Sequence, residues 1–147
     1  MGRIRFKPEL VEAIRQGRKI LTFRLTRRPN AGYIVEEGGH PYWVHIDTGL
    51  RLFIYHSWEV PDFEDYANEY FDLEGFETPA EFLDYVEALF SGHRPTSGWS
   101  HLFWAAKDEG DFSAGRKIPP SEAIVRKAKE KFPDLFEVMK RAGGAWE

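Results

Sequence analysis

The sequence predicts an α+β fold, a small mixed or antiparallel β-barrel with helices at one end and a helical C-terminal extension. Three observations carry this reading. Between residues 4 and 58, apolar and polar residues alternate at the two-residue period of half-buried strands. Aromatic residues then recur at helical spacing from Phe63 to Leu89, and Leu102 to Ala106 reads as a buried returning strand. After Lys107 the chain becomes basic and helical in pattern. Strand, helix, several strands, two helices and a strand are the order of a small barrel with helices at one end.

Ile4 and Phe6 alternate with Arg3 and Arg5, a short strand. Pro8 marks a helix start, Leu10, Val11 and Ile14 form its apolar face, and Gly17 supplies the stop, while Lys7 is a poor N-cap. From Leu21 the period is two. Leu21, Phe23 and Leu25 are expected in the core, with Thr22, Arg24 and Thr26 on the other face. Tyr33 to Glu36 and Tyr42 to Ile46 are expected strands around the turn Glu37-Gly38-Gly39-His40. Asp47-Thr48-Gly49 reads as the next turn, and Arg51 to Trp58 as a long aromatic and β-branched strand closed by Pro61. Phe63, Tyr66, Ala67 and Tyr70 share a helix face, and Thr78-Pro79-Ala80-Glu81 is a capping box that opens a second helix, stopped by Gly92. Asp108-Glu109-Gly110 is expected to break the sheet. Two helices follow, one after Ile118-Pro119-Pro120 and one restarted by Pro133 and ended by Gly143-Gly144. The reading divides the chain into a barrel domain, 1–112, and a helical appendage, 113–147, packed on it.

At 147 residues the chain is expected to form one core, and 42% hydrophobic content marks a globular protein. The absence of cysteine excludes disulfides and thiolate metal sites. No apolar run is long enough to span a bilayer and no signal-peptide core opens the chain, so no membrane role and a cytoplasmic location are expected. Asn30, Asn68 and Gln16 are the whole stock of heat-labile amides, a composition that leans towards a thermophilic source. The net charge of −4 divides into +5 over residues 1–58, −12 over 59–112 and +3 over 113–147. A basic first third can meet phosphate, whereas the acidic middle argues against wrapping a duplex.

The stretch QGRKILTFRL, residues 16–25, places Lys19, Thr22 and Arg24 on an otherwise apolar strand. Each has an ordinary structural reading: Lys19 and Arg24 as edge charges that discourage strand pairing, Thr22 as a β-former. The whole opening, RFKPELVEAIRQGRKILTFRL, resembles that of the ASCH superfamily, whose domains are similar to the PUA fold of RNA-modifying proteins. The resemblance resumes at LEGFETPAEFLDYV, residues 73–86, and at LFWAAKD, residues 102–108. It implies a PUA-like barrel over most of residues 4–108 and has no counterpart for the tail. Many relatives carry threonine directly after the lysine, where this chain has Ile20, but the second threonine, Thr22, is kept. Some members are amidohydrolases of N4-acetylcytidine with a lysine, a threonine and a glutamate as catalytic set. By resemblance these are Lys19, Thr22 and Glu74. Other members are ribonucleases or RNA binders, so the family alone does not choose the reaction.

Chemically, threonine needs a base, and a lysine serves only if burial and neighbouring Arg18 and Arg24 lower its pKa. A close Glu74 would hold that lysine protonated, so it fits better as a proton donor to the leaving amine or as an anchor for the substrate's exocyclic nitrogen. Lys19 and Thr22 are three residues apart and face opposite ways on an ideal strand, so they converge only if Lys19 lies in the turn before it. Arg24, Arg18, Trp43, Tyr55 and Trp58 are the expected ligand contacts, the aromatics as stacking partners for a base. His45, Asp47 and His56 form no dense ligand cluster, and neither metal nor cofactor is expected. A nucleoside or single-stranded RNA is the expected partner, and the basic tail could instead dock on a protein.

Overall fold

The computed structural model describes residues 1–38 and 45–142. Trp43, the expected strand start at 42–44 and the Gly143-Gly144 stop lie outside the described residues. The elements in order are β1 (Gly2–Phe6), α1 (Pro8–Arg15), β2 (Leu21–Arg24), β3 (Gly32–Glu37), β4 (Ile46–Val60), α2 (Phe63–Tyr70), α3 (Pro79–Leu89), β5 (Gly98–Ala106), α4 (Glu109–Ser113), α5 (Glu122–Lys131) and α6 (Pro133–Arg141). This is an α+β fold built on a five-stranded mixed sheet of order β1-β3-β4-β5-β2, curled into a half-barrel. Among these strands only β1 and β3 pair in parallel.

The local reasons are legible in the chain. Pro8 starts α1 without a side-chain cap, and the helix buries Leu10, Val11, Ala13 and Ile14. Gly17 ends it at φ 72, a conformation that costs other residues more. Thr78 caps α3 by accepting from the Glu81 amide, as the capping box predicts. Leu50, Leu52 and Ile54 of β4 are fully buried on one face of the sheet, against Ile4, Val35 and Phe103 of the same core.

Three expectations need correction. Leu25 is not in the core, because β2 stops at Arg24 and leaves Leu25 48% exposed. Asp47-Thr48-Gly49 does not reverse the chain. It is a bulge inside β4, where Ile34 pairs with Arg51 and Glu36 with Asp47, and the Asp47 carboxylate accepts from the Gly49 amide at 2.8 Å. The last strand begins at Gly98, four residues before Leu102. The sheet does end ahead of Asp108-Glu109-Gly110, at Ala106, and there the Asp108 side chain accepts from the Asp111 amide and caps α4.

The described tail is built into the same core. Ile124, Ala128, Leu135, Phe136 and Met139 are buried within it, and Phe132 stacks on Tyr70 at 4.2 Å between ring centres. The Ser121 amide donates to Gly17 O at 2.9 Å and the Ile118 amide to Ala105 O at 2.7 Å. No helix among the described residues is long and apolar enough to cross a membrane.

Candidate functional site

β1 and β2 are the two edges of the sheet, and a cleft of about 270 Å³ opens between them. Arg5 and Phe6 of β1, Thr22, Phe23 and Arg24 of β2, and Phe76, Phe82 and Tyr85 from the α3 side line it, with Lys19 and Glu74 in its floor. Leu25 and Leu89, two of the few exposed large apolar residues, form part of its lining as well. Aromatic walls over a charged floor suit a flat ligand with polar edges.

Lys19 sits before β2 in an isolated antiparallel bridge with Glu74. The turn itself is at Gln16-Gly17, so Lys19 reaches the cleft from a bridge position rather than from the expected turn. The bridge depends on Gly75, whose φ is +97 and whose missing Cβ would lie 3.2 Å from Ala13 Cβ and 3.3 Å from Lys19 Cβ. Ile20 and Leu21 amides both donate to Leu73 O, which fixes the Glu74 segment against the strand start.

Lys19 and Glu74 are 3% and 2% exposed. The Lys19 ammonium donates to Glu74 Oε1 at 2.8 Å, to Leu21 O at 2.7 Å and to Glu74 O at 3.0 Å. Three acceptors thus surround the nitrogen, one for each proton of an ammonium. Burial pulls its pKa below the usual lysine value, Glu74 opposes this, and Arg24 adds to the lowering. Glu74 Oε2 accepts from the Tyr66 hydroxyl at 2.7 Å, and that hydroxyl shares a 2.7 Å bond with Ser100 Oγ.

Thr22 is 3% exposed, and its Oγ1 accepts from Arg24 Nε at 3.2 Å. Arg24 also donates to Arg5 O at 3.1 Å, bridging the two edge strands, and its guanidinium lies 5.0 Å from the centre of the Phe6 ring. Burial, then Arg28, pulls Arg24 down to about 10, which still leaves a cation at neutral pH. Tyr85, pushed up to about 12 by burial, faces the cleft as a neutral hydroxyl.

The sequence-selected residues divide. Lys19, Thr22, Arg24 and Glu74 meet at one cleft. Arg18 lines a neighbouring cavity and donates to Gln16 Oε1 at 2.6 Å. Trp58 lines a groove with Tyr66 and Tyr70, against which it packs, and Tyr55 lines a cavity beside α6. The reason is a second bulge, between Ile54 and His56 opposite β5, which puts Tyr55 out of the alternation and re-aims the residues after it. The aromatic residues that do line the cleft are Phe6, Phe23, Phe76, Phe82, Tyr85 and Phe90, whose sequence pattern marks them only as core. Tyr66 and Ser100 are further residues that the sequence pattern does not single out. Tyr66 sits in a helical aromatic stripe, and nothing in that pattern distinguishes a hydrogen-bonded tyrosine from a packed one. Among the described residues no group of three or more His, Cys, Asp or Glu is placed to hold a metal ion.

One histidine that the sequence pattern does not single out supports the strand from behind. His101 is fully buried, its Nε2 accepts from the Arg28 amide at 2.8 Å, and its Nδ1 lies 3.1 Å from Thr22 O. With Nε2 as acceptor, Nδ1 carries the proton and donates to Thr22 O. Burial lowers its pKa to about 4, against a backbone bond that raises it and the nearby Arg24, Arg28 and Arg27, which lower it further. An unfolded chain takes up this proton near its ordinary value of about 6.5. The folded chain does so only near 4. Stability is therefore complete above about pH 6.5, falls as the pH drops through that window, and levels off below about 4. Urea midpoints across this range should fall more steeply for the wild type than for His101→Gln, which cannot titrate. Parallel curves would contradict the neutral assignment.

Comparison with protein-family models, with curated proteins and with solved structures gives no match for this chain.

Proposed function

We propose that the cleft binds a nucleoside, free or as an unpaired residue of single-stranded RNA, and that Lys19, Thr22 and Glu74 hydrolyse an acyl amide on the exocyclic N4 of a cytidine held there. The observation that carries this reading is the convergence of Lys19, Thr22, Arg24 and Glu74 beneath aromatic walls in one cleft. The order of these residues, in which the chain resembles the ASCH superfamily, points the same way and makes a PUA-like barrel the proposed form of the half-barrel. A volume near the lower end of small-molecule sites (roughly 300 Å³ upward) suits one nucleoside better than a length of polymer.

The chemistry follows from the single proton held between Lys19 and Glu74. Moving it from the ammonium to the carboxylate leaves an amine that can take the Thr22 hydroxyl proton and an acid that can protonate N4. Thr22 Oγ1 then bonds to the acyl carbon, the C–N4 bond breaks, and N4 leaves with the proton from Glu74. Water cleaves the acyl-threonine and releases the carboxylic acid. Arg24, bonded to Oγ1, favours the ionised form of that oxygen as it attacks. A ribonuclease reading fits less well, because the charge of Lys19 is already offset by Glu74 at 2.8 Å. Docking of a protein on the basic tail would leave the cleft free, as none of the described tail residues lines it.

The test is acetate release from N4-acetylcytidine. The wild type should release acetate, and Thr22→Val should lower kcat by at least ~100-fold while changing nucleoside affinity little, since it removes an interaction made mainly in the transition state. Nucleoside binding without release by the wild type would reduce the protein to a binder. Neither release nor binding of nucleosides or short RNA would remove the reading altogether.

A further inference from the structure

Behind Glu74, away from the cleft, lies a hydrogen-bonded chain that the proposed chemistry does not use. Tyr66 of α2 donates its hydroxyl to Glu74 Oε2, and the same hydroxyl is bonded to Ser100 of β5. Neither residue lines the cleft, and both are buried. The Tyr66 ring is held independently of its hydroxyl, stacked on Tyr70 at 5.0 Å and packed against Phe23 and Phe82. A tyrosine has one proton to give. With that proton on Glu74, the Tyr66 oxygen can only accept from Ser100, so the chain runs in one direction, from Ser100 to Tyr66 to Glu74.

We propose that Tyr66 and Ser100 are positioning residues that keep the Lys19–Glu74 pair in its charged form and so set where its shared proton rests before chemistry. Glu74 is a carboxylate removed from water, and such a group stays ionised only while donors satisfy both oxygens. Lys19 satisfies Oε1 and Tyr66 satisfies Oε2. Without the Tyr66 hydroxyl, Oε2 loses its donor, the carboxylate gains proton affinity, and the nearest proton is that of Lys19. Burial first, and the Glu74 charge second, hold the Tyr66 hydroxyl well above the usual tyrosine range, so it acts as a neutral donor. Ser100 works through Tyr66: by donating to the phenol oxygen it polarises the O–H that faces Glu74. The catalytic meaning of the arrangement rests on the reading of Lys19 and Glu74 as the reacting pair, but the charge state itself can be read in the ligand-free protein.

Carbon-detected NMR of the Glu74 carboxyl and the Lys19 side chain, followed against pH, provides the test. Tyr66→Phe keeps the ring packing and should move the titration of the Lys19–Glu74 pair, with the Glu74 carboxyl carbon nearer its protonated position at a given pH. Ser100→Ala should move it in the same direction by less. The double variant should match Tyr66→Phe alone, because Ser100 has no other route to Glu74. Tyr70→Phe, which changes a hydroxyl on the neighbouring ring, should leave the titration in place. If Tyr66→Phe fails to fold, Ser100→Ala carries the test alone through its smaller shift in that direction. An unmoved Glu74 titration in the variant that folds, or a double variant that shifts by the sum of the single shifts, overturns the proposal. The titration is run without added nucleoside, so its outcome is independent of whether the protein releases acetate or binds a nucleoside.

Discussion

Lys19→Met is expected to cost about 3–5 kcal/mol of stability, visible as a lower urea midpoint at an unchanged slope. The methionine fills a similar volume, so packing is not the cause. The cost is electrostatic. It leaves Glu74, 2% exposed, without its cation and leaves Leu21 O and Glu74 O without their donor. Combining Lys19→Met with Glu74→Gln should recover a large part of the loss, because a neutral amide tolerates burial and can still accept from Tyr66. A single-variant loss below about 1 kcal/mol would show that Glu74 is not a charged partner of Lys19 in the folded chain. The result also bears on how activity is tested. A dead Lys19→Met variant cannot by itself identify a base, since the substitution disturbs the floor of the cleft. Thr22→Val, which exchanges one hydroxyl for a methyl, isolates the chemistry better.

Gly17→Ala is the second large effect, expected at about 2–4 kcal/mol from a positive φ and an overpacked contact together. A Cβ at this position would lie 2.3 Å from Pro119 O and 2.8 Å from Ser121 N. Those are main-chain atoms, which cannot rotate aside. The tail must lift for the methyl to fit, breaking the bond from the Ser121 amide to Gly17 O. Limited proteolysis should then cut near 113–121 in Gly17→Ala and spare the wild type. Equal stability and equal protection in the variant would show that the tail does not seat on this glycine.

The helix signals at Pro8, Gly17 and Thr78 are local chemistry, and for that reason they are legible in the amino-acid sequence alone. The bulges at Asp47–Gly49 and at Tyr55 are not. A bulge is defined by extra residues on one strand against its neighbour, three facing one at the first and one inserted at the second, and the register of a neighbour is not written in the strand itself. That is why Asp47-Thr48-Gly49 reads as a reversal, and why Tyr55 and Trp58 read as lining a cleft they do not line. Lys19, Thr22 and Arg24 stand out as polar residues on an otherwise apolar strand, and Glu74 only through a resemblance in residue order to a family pattern. Tyr66 and Ser100 lie outside that pattern, and their hydroxyls meet only when α2 packs against β5. Leu25 follows the strand alternation one residue beyond the point where the strand ends.

The placement of the cleft has a consequence for solubility. A sheet that is not closed has two rows of unpaired main-chain groups, each a template on which another chain can add a strand and begin to aggregate. Here those rows belong to β1 and β2, which face one another across the cleft, with Arg24 reaching from one to the other. The half-barrel therefore shields its own edges by turning them inward. The cleft of about 270 Å³ left between them has the size of a small-ligand site. Arg24→Ala should loosen this closure, and light scattering on warming should detect association earlier in that variant than in the wild type.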